Sequence, residues 1–269
     1  MNLSITPGTN NVGAYINKVD LKSLSRIQIM EMKKTLNDFG VIFIKKQNLD
    51  PESYQNFAKN IGQPVIYPRL KGLDEKFPFI NVIERKPDDK NLSFGSSWLH
   101  QDTSYLSDNR PRYTMLMGIE IPQGQGNTIF SSGFNAYEKL PKEIKDKIKN
   151  ATGVFSSAGP IAITRLEREK EMGIKSSESM EAEHPIVKTV DDKKTLYVSP
   201  GHLMKIKNVN DEDSEYLKNY LIDHVNKQEF IFSYEWSKGD ICLWDNLSIL
   251  HMASEIKNCR RVMHRITIK

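Results

Sequence analysis

His100 and Asp102 stand two residues apart, and His251 lies far down the chain with Arg265 beyond it. A fold that uses these side chains together must bring the C-terminal segment back against the middle of the chain. In an extended strand, residues i and i+2 face the same way. Trp98-Leu99-His100-Gln101-Asp102 is therefore expected to project an imidazole and a carboxylate together, with Gln101 turned away. With His251 alongside, two imidazoles and one carboxylate would hold one face of a metal. The other face would stay open, which suits non-haem Fe(II) and oxygen chemistry.

The His-x-Asp tripeptide alone is weak, because short motifs recur by chance. Its company strengthens it. His251 follows Gly239-Asp240-Ile241-Cys242-Leu243-Trp244-Asp245-Asn246, which reads as a tight turn, an apolar strand and a polar turn. Arg260, Arg261 and Arg265 come next, among Val262, Ile266 and Ile268, which suggest a closing strand. An arginine on a buried strand is costly without an anionic partner. That partner is either an internal carboxylate or the carboxylate of a bound co-substrate, and both stay open on the residues alone.

Elsewhere the pattern is one of short strands with a few helices. Residues 26–38 carry apolar side chains at helical spacing, closed by Gly40, and a strand over 41–45 follows. Asp50-Pro51 is a helix start, with Asp as N-cap and Pro at the first helical position. Tyr54, Phe57, Ala58 and Ile61 form its apolar stripe, and Gly62 ends it. Strands are expected over 79–83, 112–121, 128–130, 195–198, 205–209, 230–234, 241–244 and 262–268. Helices are expected over 137–150, broken at Pro141, and over 211–226. The polar stretch 167–183 reads as a mobile lid or insertion, or as a plain surface helix. No linker or fixed-period repeat divides the chain, so residues 1–269 are expected to form one domain. Such a series of short strands suits a mainly β fold with flanking helices, a double-sheet jelly roll.

Several blocks resemble the Fe(II)/2-oxoglutarate-dependent oxygenases of the taurine dioxygenase and 2,4-dichlorophenoxyacetate dioxygenase family. They include Phe39-Gly40-Val41-Ile42-Phe43-Ile44, His100-Gln101-Asp102-Thr103-Ser104-Tyr105, Arg112-Tyr113-Thr114-Met115-Leu116, His184-Pro185-Ile186-Val187-Lys188-Thr189, Trp244-Asp245-Asn246 and His264-Arg265. They run in the family's order over nearly the whole chain. The resemblance implies a double-stranded β-helix of cupin-like form, with Fe(II), 2-oxoglutarate as co-substrate and O2. It implies His100, Asp102 and His251 as iron ligands. It gives Arg265 the distal carboxylate of 2-oxoglutarate, with Thr128 assisting, and puts Arg261 near the carboxylate beside the keto group. A guanidinium fork suits a desolvated carboxylate better than a point charge does. Two departures stand out: Leu99 intervenes between Trp98 and His100, and Gln125 replaces the first Gly of a Gly-Gly-Asp-Thr turn. Because Asp102 keeps its carboxylate, hydroxylation is favoured over the halogenation of related enzymes.

The implied reaction hydroxylates an unactivated C–H of a small, anionic organic substrate and releases succinate and CO2. Next to a heteroatom, the product would collapse and cleave a C–S, C–O or C–N bond. Tyr67, Arg69 and Lys71 lie where the family caps its pocket, and Trp98, Tyr105, Phe155 and His202 are further expected walls or contacts. Gln63-Pro64-Val65-Ile66 leaves no counterpart to the histidine that binds sulfonate in taurine dioxygenase, which argues against taurine. His184, His224 and His264 read as structural. Two rivals differ in class: a metal-dependent hydrolase, which needs a general base beside the metal water, and a non-catalytic metal-binding barrel.

The net charge of +4 is mild, with 38 basic against 34 acidic residues. Lys142, Lys145, Lys147 and Lys149 alternate with Ile144 and Ile148, a solvated helix face rather than a nucleic-acid footprint. Cys242 reads as a small buried hydrophobe and Cys259 as a free thiol. Residues 1–13 lack a signal-peptide pattern, and no stretch reaches the roughly 18 apolar residues of a membrane span. A soluble, cytoplasmic protein acting on a small molecule is expected, with neither membrane nor nucleic acid as partner and self-association left open.

Overall fold

Alternation along one strand organises the molecule. In this computed structural model, strand β16 (Arg261–Ile268) pairs antiparallel with β6 (Tyr113–Glu120) on one side and with β4 (Pro64–Val65) and β5 (Asn81–Arg85) on the other. Its Ile266 and Ile268 pack into a cluster with Leu36, Phe57 and Ile61 of two outer helices. Its Met263 packs the opposite way, against Phe130 and Trp244. Side chains alternate faces along a strand. Arg261 and Arg265 therefore share the inner face with Met263. The structure describes residues 2–67, 70–90, 93, 95–107, 110–163, 166 and 178–269.

The same alternation runs through β3 (Val41–Ile44) and β14 (Ile241–Asp245), where Ile42, Ile44, Ile241 and Leu243 face the helices while Val41, Phe43, Cys242 and Trp244 face inward. Both faces are covered, which is why these strands are apolar without a break. With β1 (Ser4–Pro7) and β2 (Ala14–Asn17) they complete a large sheet in the order β1-β2-β3-β14-β6-β16-β4, with β5 also on β16. A second layer is formed by β13 (Ile231–Tyr234), β7 (Thr128–Ser132) and β15 (Ile249–Ala253). Beside it lie β12 (Leu203–Lys207), β8 (Thr152–Ser156) and β9 (Glu181–Pro185), and the pair β10 (Val187–Val190) and β11 (Lys193–Leu196). The architecture is a mainly β jelly roll with flanking helices, a double-stranded β-helix.

Helix α1 (Arg26–Phe39) starts in a capping box, Ser25 with Gln28, and ends at Gly40 with φ 76°. Helix α2 (Pro51–Ile61) is capped by Asp50, whose side chain accepts from Ser53 N at 2.8 Å. Gly62 ends it in extended backbone, and glycine is needed there because a Cβ would meet Lys269 O at 2.1 Å. Helices α3 (Gly133–Glu138), α4 (Lys142–Ile148) and α5 (Asp211–Val225) cover the second layer. Among the described residues no helix is long and apolar enough to cross a membrane.

Several expectations shift: the strands expected over 195–198 and 205–209 each lie two residues earlier, as β11 and β12. The expected strand at 79–83 begins two residues later, at Asn81. The helix expected from 137 starts at Gly133, where Ser132 caps it by accepting from Asn135 N. His251 sits on a strand, β15, that no pattern announced. The extended strand at His100–Asp102 is instead one bridge, His100 to His251, followed by a turn in which Thr103 takes φ 54°. Of the stretch 167–183, residues 167–177 lie outside the described residues, and 181–183 belong to β9, paired with β8.

Candidate metal centre and the cavities beside it

The backbones of His100 and His251 bind each other reciprocally, His100 N to His251 O at 3.0 Å and His251 N to His100 O at 2.9 Å. This places a loop residue and a β15 residue side by side, ring centroids 4.3 Å apart. The turn after Gln101 swings Asp102 onto the same spot, so ligand-type atoms of His100, Asp102 and His251 all lie within 4.8 Å of one another. His100 Nδ1 lies 3.1 Å from Trp98 O. A carbonyl can only accept, so Nδ1 carries the proton and Nε2 keeps its lone pair for a metal.

Asp102 divides its two oxygens between two tasks. Oδ1 lies 3.9 Å from the Nε2 atoms of both His100 and His251, too far for a hydrogen bond and suited to an ion shared among the three. Oδ2 is held by the Thr114 hydroxyl at 2.7 Å and by Arg265 Nη2 at 2.9 Å. Thr114 is held in turn by Asn246 Nδ2 at 2.9 Å. Burial would raise the Asp102 pKa, but the charge of Arg265, with the Thr114 hydroxyl donating to the carboxylate, holds the carboxyl well below its usual range. Burial keeps both histidines neutral: His100 is lowered, and His251, with His100 and Arg265 nearby, falls to about 3. Metal ligation requires this state: ionised carboxylate and neutral imidazoles.

A cavity opens beside the triad. Thr128, Arg261 and Arg265 line it, as do the apolar Ile83, Leu116, Trp244 and Met263. The Thr128 hydroxyl accepts from Trp236 Nε1 at 3.0 Å, which leaves its own proton to donate. Arg261 is 6% exposed, and its Nε and Nη2 have no partner among the described residues. Burial lowers its pKa to about 10, so it stays charged. Arg265 resolves the choice the sequence left open: its partner is an internal carboxylate, that of Asp102 itself, and its buried Nη1 has no partner among the described residues. The ring of Tyr67 covers its guanidinium at 4.7 Å.

A second cavity of about 260 Å³ is lined by Val65, Ile66, Leu106, Pro111 and Met180, with Tyr67 and Tyr105 at one side. The Tyr67 and Tyr105 hydroxyls are 3.5 Å apart, and Tyr105 meets the His202 ring edge-on at 5.1 Å. His202 in turn lies edge-on to His100 at 5.9 Å. Ser199 Oγ accepts from Gln101 N, so its proton is available to His202 Nδ1 at 3.1 Å. Trp98, Lys71 and Phe155 line neither cavity. Trp98 is 41% exposed, Lys71 is exposed, and Phe155 is fully buried in the core against Tyr197. Arg69 lies outside the described residues.

The residues fit the group the resemblance implies. Three ligand atoms converge without hydrogen bonds between them, and two buried guanidinium groups keep unused donors facing the same cavity. Sequence reasoning missed Thr114, Trp236 and the apolar second cavity. Thr114 could have been found as the inward-facing neighbour of Leu116 on β6, but its partner Asp102 is visible only in three dimensions.

The model of the "Taurine catabolism dioxygenase TauD, TfdA family" matches residues 4–267. An alkylsulfatase of Acinetobacter baylyi is 30% identical over 273 residues, covering 97% of this chain and 83% of its own length. An alpha-ketoglutarate-dependent (2-oxoglutarate-dependent) sulfate ester dioxygenase of Pseudomonas putida is 27% identical, covering 100% of this chain and 90% of its own. Among solved structures, a taurine dioxygenase of Burkholderia xenovorans superposes with a TM-score of 0.80 at 25% identity, over 99% of this chain and 90% of that one. AAD-2, in complex with Mn(II) and N-oxalylglycine, shares the fold with a TM-score of 0.78 at 22% identity, over 100% of this chain and 97% of that one. The chain belongs to the TauD, TfdA family of Fe(II)- and 2-oxoglutarate-dependent dioxygenases.

Proposed function

We propose that residues 1–269 act as one catalytic domain that hydroxylates an unactivated C–H of a small anionic substrate with an apolar body. Bound at His100, Asp102 and His251, iron with 2-oxoglutarate and O2 supplies the oxidising power, with succinate and CO2 released. The observation that carries the reading is Arg261 beside Thr128: a buried guanidinium with two unused donors, in the cavity onto which the triad opens. Arg261 and the Thr128 proton hold the distal carboxylate of 2-oxoglutarate, since fork-shaped donors pair best with a carboxylate away from water. Arg265 is occupied by Asp102 and positions that ligand, with Nη1 left to meet an anionic group nearer the metal. This exchanges the two arginines relative to the roles expected from the sequence. A hydrolase needs a base beside the metal water; among the described residues lining the cavity the only carboxylate is Asp102, already committed.

The second cavity sets the substrate's body. Its aliphatic lining favours an alkyl or aryl group, while Tyr67, Tyr105 and His202 stand between it and the triad. An anion with an apolar tail fits both halves, and the alkylsulfatase and sulfate ester dioxygenase relatives point to sulfate esters first. The test is succinate formation across sulfate esters, sulfonates, aryloxy acids and amino acids. Turnover coupled to a tailed anion supports the reading. Coupled turnover confined to zwitterionic amino acids contradicts it.

A further inference from the structure

Away from the iron ligands, two cations and a histidine gather around one buried phenol. Lys188 Nζ, from β10, lies 3.9 Å from the centroid of the Tyr197 ring, and Arg110 Cζ lies 5.4 Å from it. Arg110 Nη1 is 2.9 Å and 2.8 Å from the two ring nitrogens of His184. His184 Nε2 is also 2.9 Å from Leu106 O. The carbonyl accepts, so Nε2 carries the proton and Nδ1 receives Arg110. His184 is thus a neutral acceptor and cancels no positive charge.

Among the described residues no carboxylate lies within ion-pair distance of Arg110 or Lys188, and Asp245 and Asp102 act only on the Tyr197 phenol. The charge acting on Lys188 is that of Arg110, which adds to burial in lowering the ammonium to about 7. His184 is lowered to about 4 by burial, Lys188 and Arg110, again with no acid involved. Tyr197 is fully buried, its hydroxyl has no hydrogen-bond partner among the described residues, and it lies in the field of Arg110 and, less strongly, of Asp245 and Asp102. Two like charges and an unused hydroxyl in a poorly hydrated place are unfavourable; the Tyr197 ring face and proton loss from Lys188 offset part of this, and an anion joining them would relieve the rest.

We propose that Arg110, Lys188 and the Tyr197 hydroxyl form a second anion site, distinct from the metal centre, for a small tetrahedral oxyanion of the sulfate or phosphate type. A guanidinium, an ammonium and a hydroxyl offer donors from separate directions, and a tetrahedral anion can accept from all three. The site holds the same segment that supplies the metal ligand. Asp102 and Tyr105 begin it, the Leu106 carbonyl accepts from His184 Nε2, and Pro111 lines the apolar cavity. Occupancy therefore stiffens the wall of the second cavity from behind. The inference stands whether or not the substrate reading holds.

The test uses protein saturated with Mn(II) and 2-oxoglutarate, so that Arg261 and Arg265 are engaged and no turnover occurs. Sodium sulfate and sodium phosphate are titrated at constant ionic strength against chloride, with the melting temperature and calorimetric binding as readouts. The expected result is a saturable rise in melting temperature. Lys188→Met and Arg110→Met each weaken it about tenfold, the scale of one lost hydrogen bond to a charged group. Lys188→Arg largely preserves it. Binding of only one of the two oxyanions supports the site and identifies its ligand. Arg110 is only half-buried, so Arg110→Met serves if Lys188→Met fails to fold. No saturable shift, or a shift that survives both methionine variants, overturns the proposal.

Discussion

Arg265 Nη2 lies 2.9 Å from Asp102 Oδ2, on the carboxylate oxygen that neither imidazole faces. The guanidinium therefore holds Asp102 ionised and aims Oδ1 at the shared metal position. Outer hydrogen bonds of this kind tune metal affinity almost as much as the ligands do.

Thr114→Val tests that support from the other side. It removes the 2.7 Å bond to Asp102 Oδ2 and strands Asn246 Nδ2, which donates to the same hydroxyl. Fe(II) or Mn(II) affinity is expected to fall about 10–100-fold. Stability should drop by about 1–3 kcal/mol from the orphaned buried amide. Unchanged metal affinity in a folded variant would remove Thr114 from the ligand's support.

The two arginines separate by what they bind. Arg261→Met is expected to raise the 2-oxoglutarate requirement at least about tenfold while leaving metal affinity near wild type, because a charged hydrogen-bond partner is lost. Arg265→Met is expected to weaken metal binding first. Parallel titrations of metal and 2-oxoglutarate on both variants decide it; the reverse pattern would restore the assignment expected from the resemblance.

The apolar cavity predicts a size threshold. Leu106→Phe adds volume to its wall. KM should rise with the length of an apolar tail, by about 1–3 kcal/mol for the longest tails accommodated, whereas short substrates keep their KM. Equal effects on short and long substrates would place the tail elsewhere.

His184 makes stability depend on pH. Its folded pKa is depressed to about 4 by burial and by Lys188 and Arg110. The unfolded chain, with an ordinary value near 6.5, takes up the proton first as pH falls. The stability from this residue is complete above about pH 6.5, declines down to about pH 4, and is flat below. His184→Gln should reduce the slope over that interval, to which the lowered His100, His224, His251 and His264 also contribute, in urea-unfolding midpoints taken from pH 7 to pH 4. A variant curve parallel to wild type would contradict the assignment.

Much of this was legible in the residues, for identifiable reasons. Asp50-Pro51 announces a helix start because capping is local chemistry, and the central strands show as unbroken apolar runs because both their faces are buried. The triad was readable from residue types, yet its geometry was not: His100 and Asp102 converge through a turn with Thr103 at positive φ, rather than along a strand. Ile249-Leu250-His251-Met252-Ala253 lacks alternation, since even the inward His251 is walled by Phe130 and Trp244, and so β15 went unseen. The partner of Arg265 was a matter of tertiary placement. Lys71 and Trp98 illustrate the converse, side chains of suitable type that folding leaves on the surface.

The decisive measurement is anaerobic addition of Fe(II) and 2-oxoglutarate to the purified protein, followed by visible absorption. Three ligands on one face leave adjacent positions for the keto oxygen and a carboxylate oxygen, so the weak band of that chelate should appear. It should vanish in Asp102→Ala, with circular dichroism unchanged. A wild-type protein that binds Fe(II) yet shows no band with 2-oxoglutarate, or an Asp102→Ala variant that keeps it, would contradict the site.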